Sequence, residues 1–240
     1  MDLNNAVMIV TGASSGIGAS TARAAAAAGA RLVLAARRED RLNELAEQLP
    51  DAIAVRCDVT DPAQVHNVVD AALERYGRVD ILINNAGQGL HEPLEKVDPD
   101  DFRAILELNA VAPLVAMQAV LPAMRAQGAG SIVNVSSGTT LRPLPGAGAY
   151  AASKAALNML STIARAEFAD SGIAVSTVYP FVTATEFHRV LRAGAGPVRR
   201  EGAPQAQTPE QVAEVILDLV RSGAERADLI PAKLGGSYTE

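Results

Sequence analysis

Tyr150 and Lys154 lie about one helical turn apart in the segment AYAASKAALNML, which puts a phenol and an ammonium on one face. The strand-like run Ile132–Val135 ahead of them ends in two hydroxyls, Ser136 and Ser137, and a Gly/Pro-rich loop joins the two stretches. A serine at a strand end facing a phenol and an ammonium is equipment for moving a proton on or off an oxygen. Each residue also has a plainer reading. Tyr150 could be an aromatic packed on a sheet at a helix start, and Lys154 a solvated helical lysine. The elements around them decide between the two.

Those elements alternate from the start of the chain. Ala6–Val10 is a short apolar strand run, the glycine turn Thr11–Gly18 (TGASSGIG) follows at once, and Ala19–Ala28 is an alanine-rich helix stopped by Gly29. Arg31–Ala36 completes a βαβ unit, whose crossover is right-handed. Glycines let the backbone turn tightly against a pyrophosphate, whose charge meets free N–H groups at the helix N-terminus. A glycine turn set between a strand and a helix therefore reads as a dinucleotide cradle. Arg37 and Arg38 follow the second strand, where such folds place the residue that meets the adenosine ribose. An acid there would take the 2′-hydroxyl of NAD(H); Ala36 followed by two arginines suits the 2′-phosphate of NADP(H).

The alternation continues through a helix at Glu39–Leu49, a strand at Ala52–Cys57, a helix at Asp61–Tyr76 ended by Gly77, and a strand at Asp80–Ile83. Asp58-Val59 and Asn85-Ala86-Gly87 fall at carboxyl ends of strands, where open α/β sheets bind ligands; each is also what a strand-terminating turn looks like. Pro99–Met124 is the next helical region. Asn109 is polar within it, so it either caps backbone groups or belongs to a site. The strand Ser131–Val135, the Tyr150 helix to about Ala169, a strand at Ile173–Val178, a helix at Pro209–Ser222 and a strand at Ala227–Ile230 complete the pattern. With no repeat or linker, residues 1–240 read as a single α/β domain: a doubly wound, Rossmann-type, seven-stranded parallel sheet with helices on both faces. Thr183–Gln207 departs from the pattern. It is broken by Gly194, Gly196, Pro197, Gly202 and Pro204, carries Arg189, Arg192, Arg199 and Arg200, and reads as a substrate lid over the carboxyl edge, or else as a solvated loop.

Composition narrows the function classes. The chain has 240 residues, 49% of them hydrophobic, which is enough for a full core. A formal charge of −6 argues against a nucleic-acid or anionic-membrane binder, since both need a basic surface. The single cysteine, Cys57, excludes an internal disulfide and reads as a small buried hydrophobe. Met1–Asn5 is polar, with no secretory pattern, so the expected location is cytoplasmic. The apolar stretch Ala104–Met124 contains Glu107, Asn109, Gln118 and two prolines, and reads as a buried helix, not a membrane span. His66, His91 and His188 do not cluster at metal-ligand spacing, so no metal is expected.

With Thr11–Gly18, Asn84–Gly87, Asn109, Ser137 and Tyr150-x-x-x-Lys154 in this order, the chain resembles the short-chain dehydrogenase/reductase family over essentially its whole length. Its layout is similar to that of NADPH-dependent ketoreductases and 3-oxoacyl-carrier-protein reductases. The resemblance implies that Tyr150 is the acid/base and that Ser137, the hydroxyl at the family's distance from Tyr150, donates to the substrate oxygen. Lys154 would supply a charge that lowers the phenol from its usual pKa of about 10 by roughly 1–3, and would hold the nicotinamide ribose. Asn109 would hold a water linking Lys154 to solvent. Gly12, Ser14, Ser15, Gly16, Ile17 and Gly18 would line the phosphates, Asp58 and Val59 the adenine, and Asn85, Ala86 and Gly87 the adjoining ribose and chain. Arg37 would meet the 2′-phosphate together with Arg38. After the sixth strand Phe181 stands where the family has glycine, and Thr183 takes the position that faces the nicotinamide amide. The implied protein is an NADP(H)-dependent oxidoreductase of small-molecule carbonyls and alcohols, assembled as a homodimer or homotetramer through the Asn109 and Tyr150 helices. The rival readings are a non-catalytic dinucleotide sensor and a reductase of carrier-bound 3-oxo substrates docked by the lid arginines.

Overall fold

The computed structural model describes residues 1–195, 205–232 and 236–238. Its strands are β1 (Val7–Thr11), β2 (Arg31–Ala36), β3 (Ala52–Arg56), β4 (Ile81–Asn84), β5 (Gly130–Val135), β6 (Ile173–Tyr179) and β7 (Arg226–Asp228). Between them run α1 (Gly16–Ala27), α2 (Glu39–Glu47), α3 (Pro62–Tyr76), α4 (Pro99–Leu106), α5 (Ala112–Gln127), α6 (Gly148–Phe168) and α7 (Pro209–Ser222). The strands form one parallel sheet in the order β3-β2-β1-β4-β5-β6-β7. This is the doubly wound, Rossmann-type architecture expected from the alternation.

The strand sequences read as unbroken apolar runs because both faces are covered. Along β1, Met8 and Val10 point into one core layer with α1, α2 and α7. Val7 and Ile9 point into the other, with α3, α5 and α6. The period of two along a strand splits each run between the two layers. Sheet order reverses between β1 and β4, so their carboxyl ends open a crevice. The glycine turn after β1 and Asn85-Ala86-Gly87 after β4 both fall there.

Helix ends follow capping chemistry, and one departure from it matters. Asp61 caps α3 by accepting from the N–H groups of Ala63 and Gln64, and a left-handed Gly77 closes it. Thr208 and Gln211 form a reciprocal capping box at the start of α7. By contrast α1 begins at Gly16, inside the glycine turn, and its Ser15 cap makes no side-chain bond to the helix.

Two expectations are corrected. The helix anticipated across Pro99–Met124 is interrupted by a π-helical turn at Glu107–Val111 that contains Asn109. The last strand ends at Asp228, not Ile230. The Pro99–Gln127 stretch is long and apolar enough by composition to cross a membrane, but half of that apolar window is buried within the protein. Ala116, Met117, Val120 and Met124 pack it onto the sheet.

Candidate active site

The glycine turn is bound tightly to the end of β4. Gly12 has φ +66°, and a Cβ there would stand 2.9 Å from Ala86 Cα. A Cβ at Gly18 would stand 2.5 Å from the Gly12 carbonyl oxygen, so neither position accepts a side chain. Asn85 Nδ2 donates to the carbonyls of Thr11 (2.9 Å) and Gly12 (3.3 Å). Thr11 Oγ1 accepts from the N–H groups of Asn85 (3.0 Å) and Ala86 (3.1 Å) and donates to Ile83 O (3.1 Å). Thr11 therefore fastens the two sides of the crevice, a role its place in the glycine motif did not reveal. With no side-chain cap and no acid in its first turn, α1 leaves N–H groups and a positive dipole end available to an anion. Gly16, Ile17, Ser14 and Ser15 surround that end.

The two arginines after β2 do not act as a pair. The Arg37 side chain is 72% exposed, and its Nη1 lies 4.0 Å from Asp58 Oδ2. Arg38 folds back over the glycine turn, its Nε donating to Ser14 Oγ (3.1 Å) and its Nη2 to Ser15 Oγ (2.6 Å). The remaining nitrogen, Nη1, donates to Glu186 Oε2 at 3.0 Å. Arg41 reaches the same carboxylate at 2.9 and 3.2 Å. Sequence reading missed Arg41 and Glu186; no local pattern links residues this far apart along the chain. Asp58 Oδ1 accepts from the Thr60 N–H and hydroxyl, and Val59 is buried beside it in the core layer with α3.

Ser137, Tyr150 and Lys154 come together where β5 ends and α6 begins. Ser137 Oγ accepts from the N–H (3.2 Å) and hydroxyl (2.9 Å) of Thr139, and it hydrogen-bonds the Tyr150 phenol. Ser136 faces away and donates to Asn158 Oδ1, while Asn158 Nδ2 donates to Thr140 Oγ1 at 3.1 Å. That arrangement holds the turn on either side of Ser137. Lys154 Nζ donates to the Val135 carbonyl at 2.8 Å. A side chain at Gly87 would meet Asn109 Oδ1 at 3.0 Å and Lys154 Nζ at 3.4 Å, so these three positions converge on one spot.

The electrostatics correct one expectation. The Tyr150 pKa is not lowered: burial pushes it up to about 12, and the Ser137 bond offsets only part of that. Burial also pulls Lys154 down from 10.5 to about 8. Desolvation governs both groups, because the protein packs over each of them. Asn109 holds the neighbouring backbone in place. Its side chain is spent on Gln88, donating to Gln88 O (2.9 Å) and accepting from Gln88 N (3.1 Å), and it also donates to Ser153 Oγ (3.0 Å). This buried amide caps backbone groups, and it does so beside Gly87 and Lys154.

The segment after β6 covers the phenol. The Phe187 ring lies 5.7 Å from that of Tyr150, centroid to centroid, and the His91 ring 6.3 Å from it. Thr183 is buried, with its hydroxyl donating to Phe181 O at 3.0 Å. The Thr185 methyl sits over Gly16, 3.0 Å from where a Cβ would be, a contact with the glycine turn that sequence reading did not anticipate. Gln207 anchors the far end of the segment: its Oε1 accepts from Phe181 N (3.2 Å) and its Nε2 donates to Leu229 O (2.7 Å). The lid arginines Arg199 and Arg200, and the side chains of His188 and Arg189, lie outside the described residues. Among the described residues no three of His, Cys, Asp and Glu come together as metal ligands. Cys57 is buried beyond β3, where burial raises its thiol to about 11.

A crevice floored by a glycine turn, beside a hydroxyl, a phenol and an ammonium, has counterparts among known proteins. The sequence profile described as short chain dehydrogenase matches residues 6–196. An uncharacterized oxidoreductase of Listeria innocua is 38% identical over 192 residues, covering 78% of this chain and 77% of its own. The 3-ketoacyl-(acyl-carrier-protein) reductase of Brucella melitensis, solved with NADH, superposes with a TM-score of 0.87 at 27% identity, over 95% of this chain and 97% of that one. An alcohol dehydrogenase of Thermococcus sibiricus, solved with 5-hydroxy-NADP, gives 0.82 at 27% identity, over 93% and 95%. Profile, relatives and architecture agree: the chain belongs to the short-chain dehydrogenase family of oxidoreductases.

Proposed function

We propose that the protein is an NADP(H)-dependent enzyme that interconverts a ketone or aldehyde and its alcohol, with Tyr150 as general acid and base. One observation carries the reading: a buried tyrosine hydrogen-bonded to Ser137, with Lys154 a turn further on, beside an uncapped helix start. A nicotinamide dinucleotide, when bound, supplies or accepts the hydride. The residues suited to hold it are those of Gly12–Gly18 and Asn85–Gly87, Asp58, Val59 and Thr183. Arg37 and Arg38 follow β2 directly, and two guanidiniums there support a 2′-phosphate over a free hydroxyl.

In the reducing direction Ser137 Oγ–H and Tyr150 Oη–H both donate to the substrate carbonyl oxygen. The phenolic proton moves to that oxygen as negative charge develops there. A phenol held near 12 is a competent proton donor at neutral pH, and it becomes a base only when positive charge is brought close. Lys154, still largely charged at pH 7 with its pKa near 8, would stabilise the phenolate left behind.

Leu94, Leu141, Leu144 and Val190 are exposed on the connections that follow β4, β5 and β6, which supports an apolar carbonyl substrate. The Phe187 contact with Tyr150 supports the segment 183–207 as a lid. Exposed Val111, Met159 and Ile163 on the Asn109 and Tyr150 helical segments support self-association through those faces. The test is Tyr150→Phe. NADPH binding should survive, while carbonyl reduction falls by roughly 10²- to 10⁴-fold. Persistent turnover would sink the assignment of the acid. A wild-type protein that binds nucleotide but reduces no member of a carbonyl panel would favour a dinucleotide sensor.

A further inference from the structure

The group that faces Arg38 and Arg41 in this structure is a carboxylate of the chain itself. Glu186 lies in a short 3₁₀ turn after β6, Glu186–Arg189, far along the chain from either arginine. Arg38 Nη1 donates to Glu186 Oε2 at 3.0 Å, and Arg41 Nη1 lies 2.9 and 3.2 Å from its two oxygens. The two guanidiniums hold the Glu186 carboxyl below the usual range. With Arg38 also bonded to Ser14 and Ser15, all three of its side-chain nitrogens are engaged. The residues on either side of Glu186 touch the rest of the site: Thr185 rests on Gly16 and Phe187 on Tyr150.

We propose that Glu186 sets the cofactor preference by competing with the 2′-phosphate of NADP(H) for the Arg38 and Arg41 guanidiniums. The inference rests on the NADP(H) reading above. A carboxylate and a phosphate are both forked arrays of anionic oxygens, and both seek the same donors. The donors cannot serve both fully, and two anions sharing them repel each other. NADH brings only a hydroxyl to that place and leaves the Glu186 contacts intact. Glu186 therefore lowers affinity for the phosphorylated cofactor alone, and a bound 2′-phosphate loosens the tie between Arg38 and the segment over Tyr150.

The experiment compares NADPH and NADH dissociation constants, from nicotinamide fluorescence, for wild type, Glu186→Gln and Arg38→Ala. Glu186 is partly exposed, and glutamine keeps its shape, so the fold survives the change. Glu186→Gln removes the competing charge but only exposed ion pairs with it, so it should tighten NADPH by a modest factor, roughly two- to thirtyfold, and leave NADH within about twofold. Unchanged or weakened NADPH binding overturns the competition, as does an equal gain for both nucleotides. The cofactor reading is judged separately. If wild type prefers NADH, NADP(H) preference is wrong, while a selective NADPH gain in Glu186→Gln together with a selective NADPH loss in Arg38→Ala still upholds the role of Glu186; an NADPH-to-NADH ratio unchanged by Arg38→Ala overturns it.

Discussion

Replacing Lys154 with methionine should abolish turnover and yet make the cofactor-free protein more stable. Lys154 is 4% exposed, and its ammonium makes a hydrogen bond to Val135 O at 2.8 Å. Burial takes its pKa from 10.5 to about 8. At about 1.4 kcal/mol per tenfold change, keeping it charged in the folded state costs about 3 kcal/mol below pH 8. The sign follows from proton counts: between pH 8 and 10.5 the unfolded chain holds more protons at this group than the folded one, so wild-type stability rises with pH there. Methionine fills a similar volume without charge, but it leaves Val135 O unpaired, which returns about 1 kcal/mol or more. The net gain at pH 6–7 should be roughly 1–2 kcal/mol and should shrink as pH approaches 10.5. Urea unfolding of both proteins at pH 6.5, 8.5 and 10 reads this directly. A Lys154→Met protein less stable than wild type at pH 6.5, or a difference that does not move with pH, would refute the claim that burial dominates this lysine.

Two further substitutions probe the frame around the site. Asn109→Leu leaves the Gln88 N–H and C=O without their partner at a fully buried position and should cost about 2–4 kcal/mol in urea unfolding; a loss under 1 kcal/mol would mean that the π-helical turn needs no such cap. Gly18→Ala places a Cβ 2.5 Å from Gly12 O, so the glycine turn must shift. Nucleotide affinity by titration calorimetry should drop at least about tenfold, against a loss of stability of roughly 1–3 kcal/mol; unchanged affinity would show that the turn does not seat the cofactor.

The sequence by itself determined the architecture and the order of the chemical groups along it. Continuous apolar strand runs alternating with amphipathic helices admit few arrangements other than a doubly wound parallel sheet. The spacing of Tyr150 and Lys154 fixes their shared face, and a glycine turn between strand and helix fixes where an anion can sit. Local rules carried that far because helix period, capping and glycine backbone freedom are short-range properties. The tertiary structure decided which partner each polar group finds. Asn109 turned to Gln88 and Ser153, Arg38 left Arg37 for Ser14, Ser15 and Glu186, and Gln207 became the anchor of the segment over the site. It also reversed the expected direction of the Tyr150 shift. Spacing shows that a charge is near, whereas desolvation depends on how completely the rest of the chain packs over it. Pairings between residues far apart in sequence leave no periodic trace, and burial is a sum over the whole fold.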